Sequence, residues 1–479
     1  MEASYFSVRQ AGNQYQVNGH RHCALGHRLA RGPGMADDGV FGYWDWDGRR
    51  LVAGNDRYGM YPLFYSWRDG QFAISPSIPS LLAGGAPAEL DEAALAVYLR
   101  LGFFVGEDTP YRHIRALAPD TTLCWDGALE LARGVRAGAR APLRIGRAAA
   151  LEHGLELFRK ALARRQPGAS EVVLPLGGGL GARHILFELL RQGRAPGHCL
   201  STAHFAPCGD APLRAAKAIT RELGLVHIVL AQRSSWFLAE HRKNLLTSFS
   251  SGAHARHVVA ADYLLARMPV LYDGIGADMF GGCAALTPAR LAHFDAGDTR
   301  PLAQQLLAAD ETALGCLLPQ PLRARLSRER AIVHLEIELA RHCGAPNPVG
   351  SFYFWNRTRR QRAMLPYGLL GQLPTVFAPF LDHALFDFLS ALPARMLLDH
   401  ALHGDAIRHA YPGRAHLAPE SRHGVDTGAP QASFGRTLAL WLLACGPSPL
   451  LRQRYLLASL LRPACHEHAS LALYLHQIG

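Results

Sequence analysis

The chain has nine cysteines, yet no two of them form a C-x-x-C pair. Cys23, Cys124, Cys199, Cys208, Cys283, Cys316, Cys343, Cys445 and Cys465 are scattered and odd in number, which excludes a disulfide framework and a structural zinc site of ordinary spacing. They read as small buried hydrophobes. Lysine is nearly missing: Lys160, Lys217 and Lys243 are the only ones, so the basic character rests on arginine. No apolar run approaches the roughly 20 residues of a membrane-spanning helix, and the opening MEASYFSVRQ lacks a secretory signal pattern. These absences predict a soluble, cytoplasmic protein with no membrane partner. Internal repeats and low-complexity tracts are also lacking, which excludes a repeat array and a disordered chain.

What is present is ordinary in bulk. A length of 479 residues, 49% hydrophobic and 19% charged, suits a globular protein of two or three domains. A net charge of +11 can attract nucleic acid or acidic substrates. The arginines are spread along the whole chain, however, and the densest cluster, Arg357 to Arg362 (RTRRQR), has no nucleic-acid motif around it. It reads as a solvated helical face, and nucleic acid is not an expected partner.

From about Phe41 to Ser77 short strands alternate with turns. FGYWDWDGRRLVAGNDR reads as a hairpin about Asp47-Gly48, and PLFYSWRDGQFAIS as a second about Asp69-Gly70. Leu90 to Leu101 reads as a helix capped by Asp91, with Glu92 in its first turn. Residues 136–149 are rich in Gly, Arg and Ala and break the periodicity, which sets a linker between domains at 1–135 and 150–479. Beyond it, helical patterns such as LELFRKALARR and APLRAAKAITRELG alternate with short apolar runs, VVLPL, HCLSTAHF and VHIVLA. That alternation predicts a parallel sheet covered by helices. From about residue 284 the periodicity is mostly helical.

The stretch Glu171 to Gly193, EVVLPLGGGLGARHILFELLRQG, joins these signals. An apolar run enters Gly177, Gly178 and Gly179; Gly181 follows, and helical spacing then runs through Ile185, Leu186, Leu189 and Leu190. Strand, glycine loop and helix present backbone N–H groups and the positive end of a helix dipole to an anion, usually a phosphate. Arg183 and His184 open that helix, where positive charge opposes the dipole unless an anion sits between. Histidines recur at i, i+3 in His400/His403 and His254/His257, with His409, His416 and His423 following. No carboxylate or cysteine completes a metal-ligand set, so they read as surface residues on helices. The aromatic run Phe352 to Trp355 reads as core.

PLGGGLGARHILFELL resembles the SGGLDS pyrophosphate loop of the asparagine synthetase family. LYDGIGADMFGG (271–282) resembles that family's S-G-E-G-A-D-E-x-F-G-G segment, PFLDHALFDFLSALP (379–393) its P-F-L-D block, and GDAIRHAYP (404–412) its K-x-x-L-R block. GVFGYWDWDGRRLVAGNDRYGMYPLFYS, LDEAALAVYL and IRALAPD are similar to parts of its glutaminase domain. The family, which includes asparagine synthetase B, β-lactam synthetase and lasso-peptide cyclases, activates a carboxylate as an acyl-adenylate with Mg-ATP and then forms an amide. The resemblance implies an α/β protein. A truncated Ntn-hydrolase-like antiparallel sheet domain would be followed by a PP-loop, Rossmann-like parallel α/β domain with a helical C-terminal part. It also implies ATP and Mg²⁺, with Gly177, Gly178, Gly179, Gly181, Arg183, Asp273 and Gly274 at the nucleotide and Asp278 as metal ligand.

The chain departs from the family's pattern where the chemistry is carried. Two hydroxyls and an Asp of the family's loop, which grip pyrophosphate and Mg²⁺, correspond to Gly177, Gly181 and Ala182. Two glutamates correspond to Ile275 and Met279, and a Lys to Gly404, with no lysine beyond Lys243 to stand in. Arg408 is retained, and Asp405 is the other candidate for a rebuilt catalytic site. The glutaminase uses an N-terminal Cys, whereas position 2 is Glu2, and the stretch before Gly39 is short for the family's glutamine-binding loops. Cys23, the nearest cysteine, has no free α-amino group to act as base. The expectation is a catalytically impaired paralogue, or pseudoenzyme, that binds a protein partner or a small-molecule or peptide carboxylate in a biosynthetic pathway, with ATP and Mg²⁺ weakly held or lost. The alternative is an ATP-dependent amide ligase with a rebuilt site and no use of glutamine.

Overall fold

The computed structural model describes residues 4–479 apart from 13, 33–34, 135–140, 204–209, 232–234, 309–310, 418–431, 447, 453 and 456–465. Glu2, Cys208, His423, Cys465 and positions 136–140 of the expected linker lie outside the described residues.

Ten strands come first: β1 (Phe6–Ala11), β2 (Gln14–Gly19), β3 (His22–Leu29), β4 (Asp38–Trp46), β5 (Leu51–Asn55), β6 (Phe64–Arg68), β7 (Gln71–Ser75), β8 (Ile114–Ala116), β9 (Thr121–Trp125) and β10 (Leu129–Arg133). They pair antiparallel into two sheets, β2-β1-β7-β6-β8 and β10-β9-β5-β4-β3. Both expected hairpins form. Asp69 and Gly70 have φ of 52° and 74°, the double positive φ that a tight β6–β7 turn requires and that Asp-Gly supplies at little cost. Asp47 Oδ1 accepts the N–H groups of Arg49 and Arg50 at 2.8 and 2.7 Å, closing the β4–β5 turn. Alternation along the strands sends Phe6, Val8, Phe72 and Ile74 of one sheet against Trp44, Trp46, Leu51 and Trp125 of the other, and this is their shared core. The helix Glu92–Leu101 begins as expected, with Asp91 accepting from the Ala94 N–H at 3.1 Å.

The next helix, Arg147–Arg164, opens inside the expected linker, so residues 147–149 are helical. A parallel sheet follows: β11 (Val172–Pro175), β12 (His198–Thr202), β13 (His227–Leu230), β14 (Val270–Tyr272) and β15 (Thr375–Phe377), in the order β13-β12-β11-β14-β15. The chain steps outward from β11 to β13, then returns to place β14 and β15 on the other side of β11. Strand order therefore reverses between β11 and β14, and such a reversal opens a crevice beyond the strand ends. Most of the remainder is helical, including Pro288–Asp295, Arg328–Ala340, His383–Ser390, Leu402–Ala410 and His466–Ile478. The chain is thus an α/β protein with two facing antiparallel sheets, then a Rossmann-like parallel sheet, then helices. Among the described residues no helix is long and apolar enough to cross a membrane.

Buried arginines join the halves. Arg165 reaches Asp38 at 3.1 Å and Asp382 at 3.2 Å, all three almost fully buried. Arg359 donates to the carbonyls of Gly106 and Leu117 at 2.9 and 2.7 Å, and Arg360 to those of Gly106 and Asp108 at 2.8 and 2.7 Å. This corrects the reading of Arg357 to Arg362 as a solvated face. Arg359 and Arg360 are each only 2% exposed, because loop carbonyls of the N-terminal half need donors that no strand provides.

Candidate functional site

A cleft of about 150 Å³ lies where strand order reverses. Pro175, Leu176 and Gly177 border it from β11, Ser201 and Thr202 from β12, and Asp273 from just past β14. Leu213, Ala260, Leu264 and Leu370 make its apolar wall, and Asp210, Arg256 and His257 its polar one. A volume near 150 Å³ holds a single aromatic ring.

The polar wall is organised by hydrogen bonds. Ser201 Oγ lies 2.6 Å from the Leu176 carbonyl and 2.8 Å from His227 Nε2, so it donates to the first and accepts from the second. Arg256 Nε donates to His257 Nε2 at 3.0 Å, which leaves the His257 proton on Nδ1, directed at Thr202 Oγ1 3.2 Å away. The guanidinium and imidazole are thereby held side by side against the crevice. Asp210 accepts from the Leu213 N–H at 3.1 Å and starts the helix Ala211–Glu222.

The glycines of the loop divide into two kinds. A methyl added at Gly177 or Gly179 would touch nothing within 4 Å, so this part of the loop faces open space. A methyl at Gly181 would lie 2.7 Å from Ala277 Cβ and 3.0 Å from the Gly274 carbonyl, and one at Gly274 would lie 3.0 Å from the Ala182 nitrogen. Gly181 and Gly274 are therefore packing positions, where the loop after β11 and the loop after β14 meet backbone to backbone. Gly179 caps the helix Leu180–Arg191 without a side-chain acceptor for its first N–H groups. The open glycines and that helix end lie beside the cleft, which Gly177 borders. Gly178 sits between them, part-buried.

The other expected site residues fall elsewhere or carry other partners. Arg183 is buried, and its guanidinium donates to the Leu417 carbonyl at 3.5 Å. His184 is buried too, stacked 3.8 Å from the Phe158 ring and 3.1 Å from His403 Nε2. Burial drives the His184 pKa well down and that of His403 to about 4, so the pair is neutral. The expectation that the helical histidines lie on the surface is corrected for His403, whose ring is buried, while His400, His409 and His416 are exposed. Asp273 stays at the cleft; its Oδ1 accepts from the Ile275 N–H at 2.8 Å, and burial raises its pKa while Arg362 opposes the shift. Asp278 is ion-paired with Arg362. Asp405 pairs with Arg147 at 2.6 Å and with Arg408 at 2.5 Å in a surface network that does not border the cleft. A methyl at Gly404 would lie 3.3 Å from Arg408 Nη1, so the arginine lies over this glycine one helical turn away.

These residues do not fit a bound Mg²⁺. That ion needs oxygen donors at about 2.0–2.1 Å, commonly one or two carboxylates with substrate phosphates. Asp278 has an arginine partner, Asp273 is engaged by its own loop, and Gly177, Gly181 and Ala182 bring no side-chain oxygen. Among the described residues no three His, Cys, Asp or Glu side chains gather as a metal-ligand group.

Ser201, Thr202, Asp210, Arg256 and His257 were missed as site residues by sequence reasoning. His257 drew notice only through its spacing from His254, and neither motif nor periodicity ties it to Thr202, 55 residues away.

Residues 29–132 match the family model of a glutamine amidotransferase domain, a span from the end of β3 through most of β10. The antiparallel part of the chain is thus glutamine-amidotransferase-like. No curated protein matches the chain. Among solved structures, glutamine phosphoribosylpyrophosphate (PRPP) amidotransferase from B. subtilis, complexed with ADP and GMP, is similar at 10% identity. The match covers 47% of this chain and 47% of that one, with a TM-score of 0.17. An allosteric regulatory enzyme of purine biosynthesis is similar at 11% identity, over 42% of this chain and 51% of that one, with a TM-score of 0.16. The chain spans about half the length of these structures, and at such scores neither likeness bears on its chemistry.

Proposed function

We propose that this is an asparagine-synthetase-like protein with degenerate glutaminase and pyrophosphate-loop sites, which binds a nucleotide or similar ring-bearing phosphate and does not adenylate a carboxylate. It is read as two domains, 1–135 and 150–479, of which the second carries the ligand. Its place is that of a pseudoenzyme in a biosynthetic pathway. The observation that carries this reading is the Asp278–Arg362 ion pair: the carboxylate at the family's metal position is matched with an arginine, and the loop beside it brings no side-chain oxygens. Removing one preorganised transition-state group costs about 10²–10³ in rate. Several such losses do not simply add, but together they leave adenylation without its usual support.

The competing reading is an ATP-dependent amide ligase with a rebuilt site, which would depend on Asp405 and Arg408. Hydrogen bonds from Arg147 and Arg408 hold Asp405 below the usual carboxylate range although burial opposes them, and this favours a surface ion network over an acid–base pair.

The test is a titration of full-length protein with ATP and ADP. Saturable binding is expected, and Ala260→Phe, which fills the cleft wall, should abolish it. Binding unaffected by Ala260→Phe would place the ligand elsewhere and overturn the reading.

A further inference from the structure

We infer that the N-terminal half of the chain positions the polar wall of the cleft, acting through a strained loop at 247–254; this rests on the reading of the cleft as a ligand site. The loop joins the helix Trp236–Leu246 to the short turn Ala255–His257, which carries Arg256 and His257 to the cleft. Ser248, Phe249 and His254 have φ of 50°, 56° and 80°, in the left-handed region that favours glycine. A bulky residue such as phenylalanine rarely adopts that conformation, and it persists only where the surroundings impose it.

Here the N-terminal half supplies much of what imposes it. Ser248 Oγ accepts from the Ile78 N–H at 3.1 Å and donates to the Pro76 carbonyl at 3.4 Å, which ties the loop to the start of the helix Ile78–Ala83. The Phe249 ring is buried, edge-on to Tyr111 of the N-terminal half at 6.4 Å and to Tyr474 of the helix His466–Ile478 at 6.5 Å. Tyr474 also donates its hydroxyl to the Phe249 carbonyl at 3.1 Å. From the other side Lys243, buried against Glu240, donates to the Ser251 carbonyl at 3.0 Å. Ser251 Oγ in turn accepts from the Ala253 N–H at 3.1 Å and lies 3.0 Å from His254 Nδ1. The loop is gripped from both sides, and its one conformation delivers His257 to Thr202 and sets Arg256 beside it. A ligand that meets a preset wall is spared the cost of ordering it. The amidotransferase-like half thereby has a role that needs no glutamine chemistry: its surface at Pro76, Ile78 and Tyr111 is the template for the loop.

The experiment compares Ser248→Gly with Ser248→Ala in the full chain. Both lose the hydroxyl, but only glycine relaxes the left-handed backbone, so their difference isolates the strain. Ser248→Gly is expected to melt above Ser248→Ala in thermal unfolding. In isothermal titration with ADP, Ser248→Gly is nevertheless expected to bind about fivefold more weakly than Ser248→Ala, because the freed wall must be ordered on binding. Tyr474→Phe keeps the ring but releases the Phe249 carbonyl, and it is expected to bind ADP more weakly than wild type. A purely structural loop would change the melting temperatures and leave ADP affinity equal in all these proteins; that result would overturn the inference while leaving the cleft reading in place. A glycine variant that melts no higher than the alanine one would show that the position carries no strain, and would overturn it too. Absence of ADP binding by the wild type would overturn the cleft reading and the inference together.

Discussion

Arginines from one short stretch serve two unlike places. Arg359 and Arg360 are buried at the junction of the two halves and bound to backbone carbonyls; Arg362, two residues on, is nearly half exposed and paired with one carboxylate, Asp278. Burial makes the difference. At the junction each guanidinium is desolvated and must satisfy groups that have no other partner, so its loss is a loss of fold. At the exposed pair water competes for the charge, so its loss leaves the fold intact. The same residue type is structural in one setting and solvent-accessible in the other.

The sharpest way to break this comparison is at Arg165. It is 1% exposed between Asp38 and Asp382, and Arg165→Ala leaves two buried carboxylates with weakened partners. Denaturant unfolding should show a loss of about 3–5 kcal/mol. A change as small as that expected for a surface pair would erase the distinction.

Acid should act next, through the buried histidine pair. His403 titrates near 6.5 when unfolded, but burial pushes its folded pKa down to about 4, with Asp278 acting the other way. Between those values the unfolded chain binds the proton more tightly. The contribution is therefore complete above about pH 6.5 and falls as pH drops toward 4, by roughly 3 kcal/mol at most. His184, also depressed, acts in the same direction. Unfolding midpoints followed across that range should fall for the wild type, and His403→Gln should flatten the slope.

The smallest contrast lies within the loop. Gly181→Ala forces a methyl to within 2.7 Å of Ala277 and should cost about 1–3 kcal/mol by overpacking. Gly179→Ala enters open space and should stay within about 0.5 kcal/mol. Thermal unfolding of the two variants would separate them, and equal effects would remove the division between packing and ligand-facing glycines.

Much of the fold was legible because its signals are local. The Asp69-Gly70 turn, the Asp91 cap and the strand-glycine-helix unit at Val172–Arg191 each state their backbone geometry in a few adjacent residues. β15 escaped because three residues, Thr375 to Phe377, carry no periodicity; the strand exists through its pairing with β14, about a hundred residues earlier. Of the candidate residues named from sequence, Gly177 and Asp273 border the cleft, whereas Arg256, His257 and the partner of Asp278 depend on distant segments. Arg359 and Arg360 misled for the same reason: a run of arginines looks solvated until the carbonyls that bury it are in place.

Carboxylate-dependent ATP–pyrophosphate exchange tests the central claim most directly. The account predicts no exchange above blank with any carboxylate tried, under conditions where ATP binding is saturated, and no difference between wild type and Asp278→Ala. Robust exchange by wild type that disappears in Asp278→Ala would contradict it, and would mean that Asp278 leaves Arg362 to hold a metal during turnover.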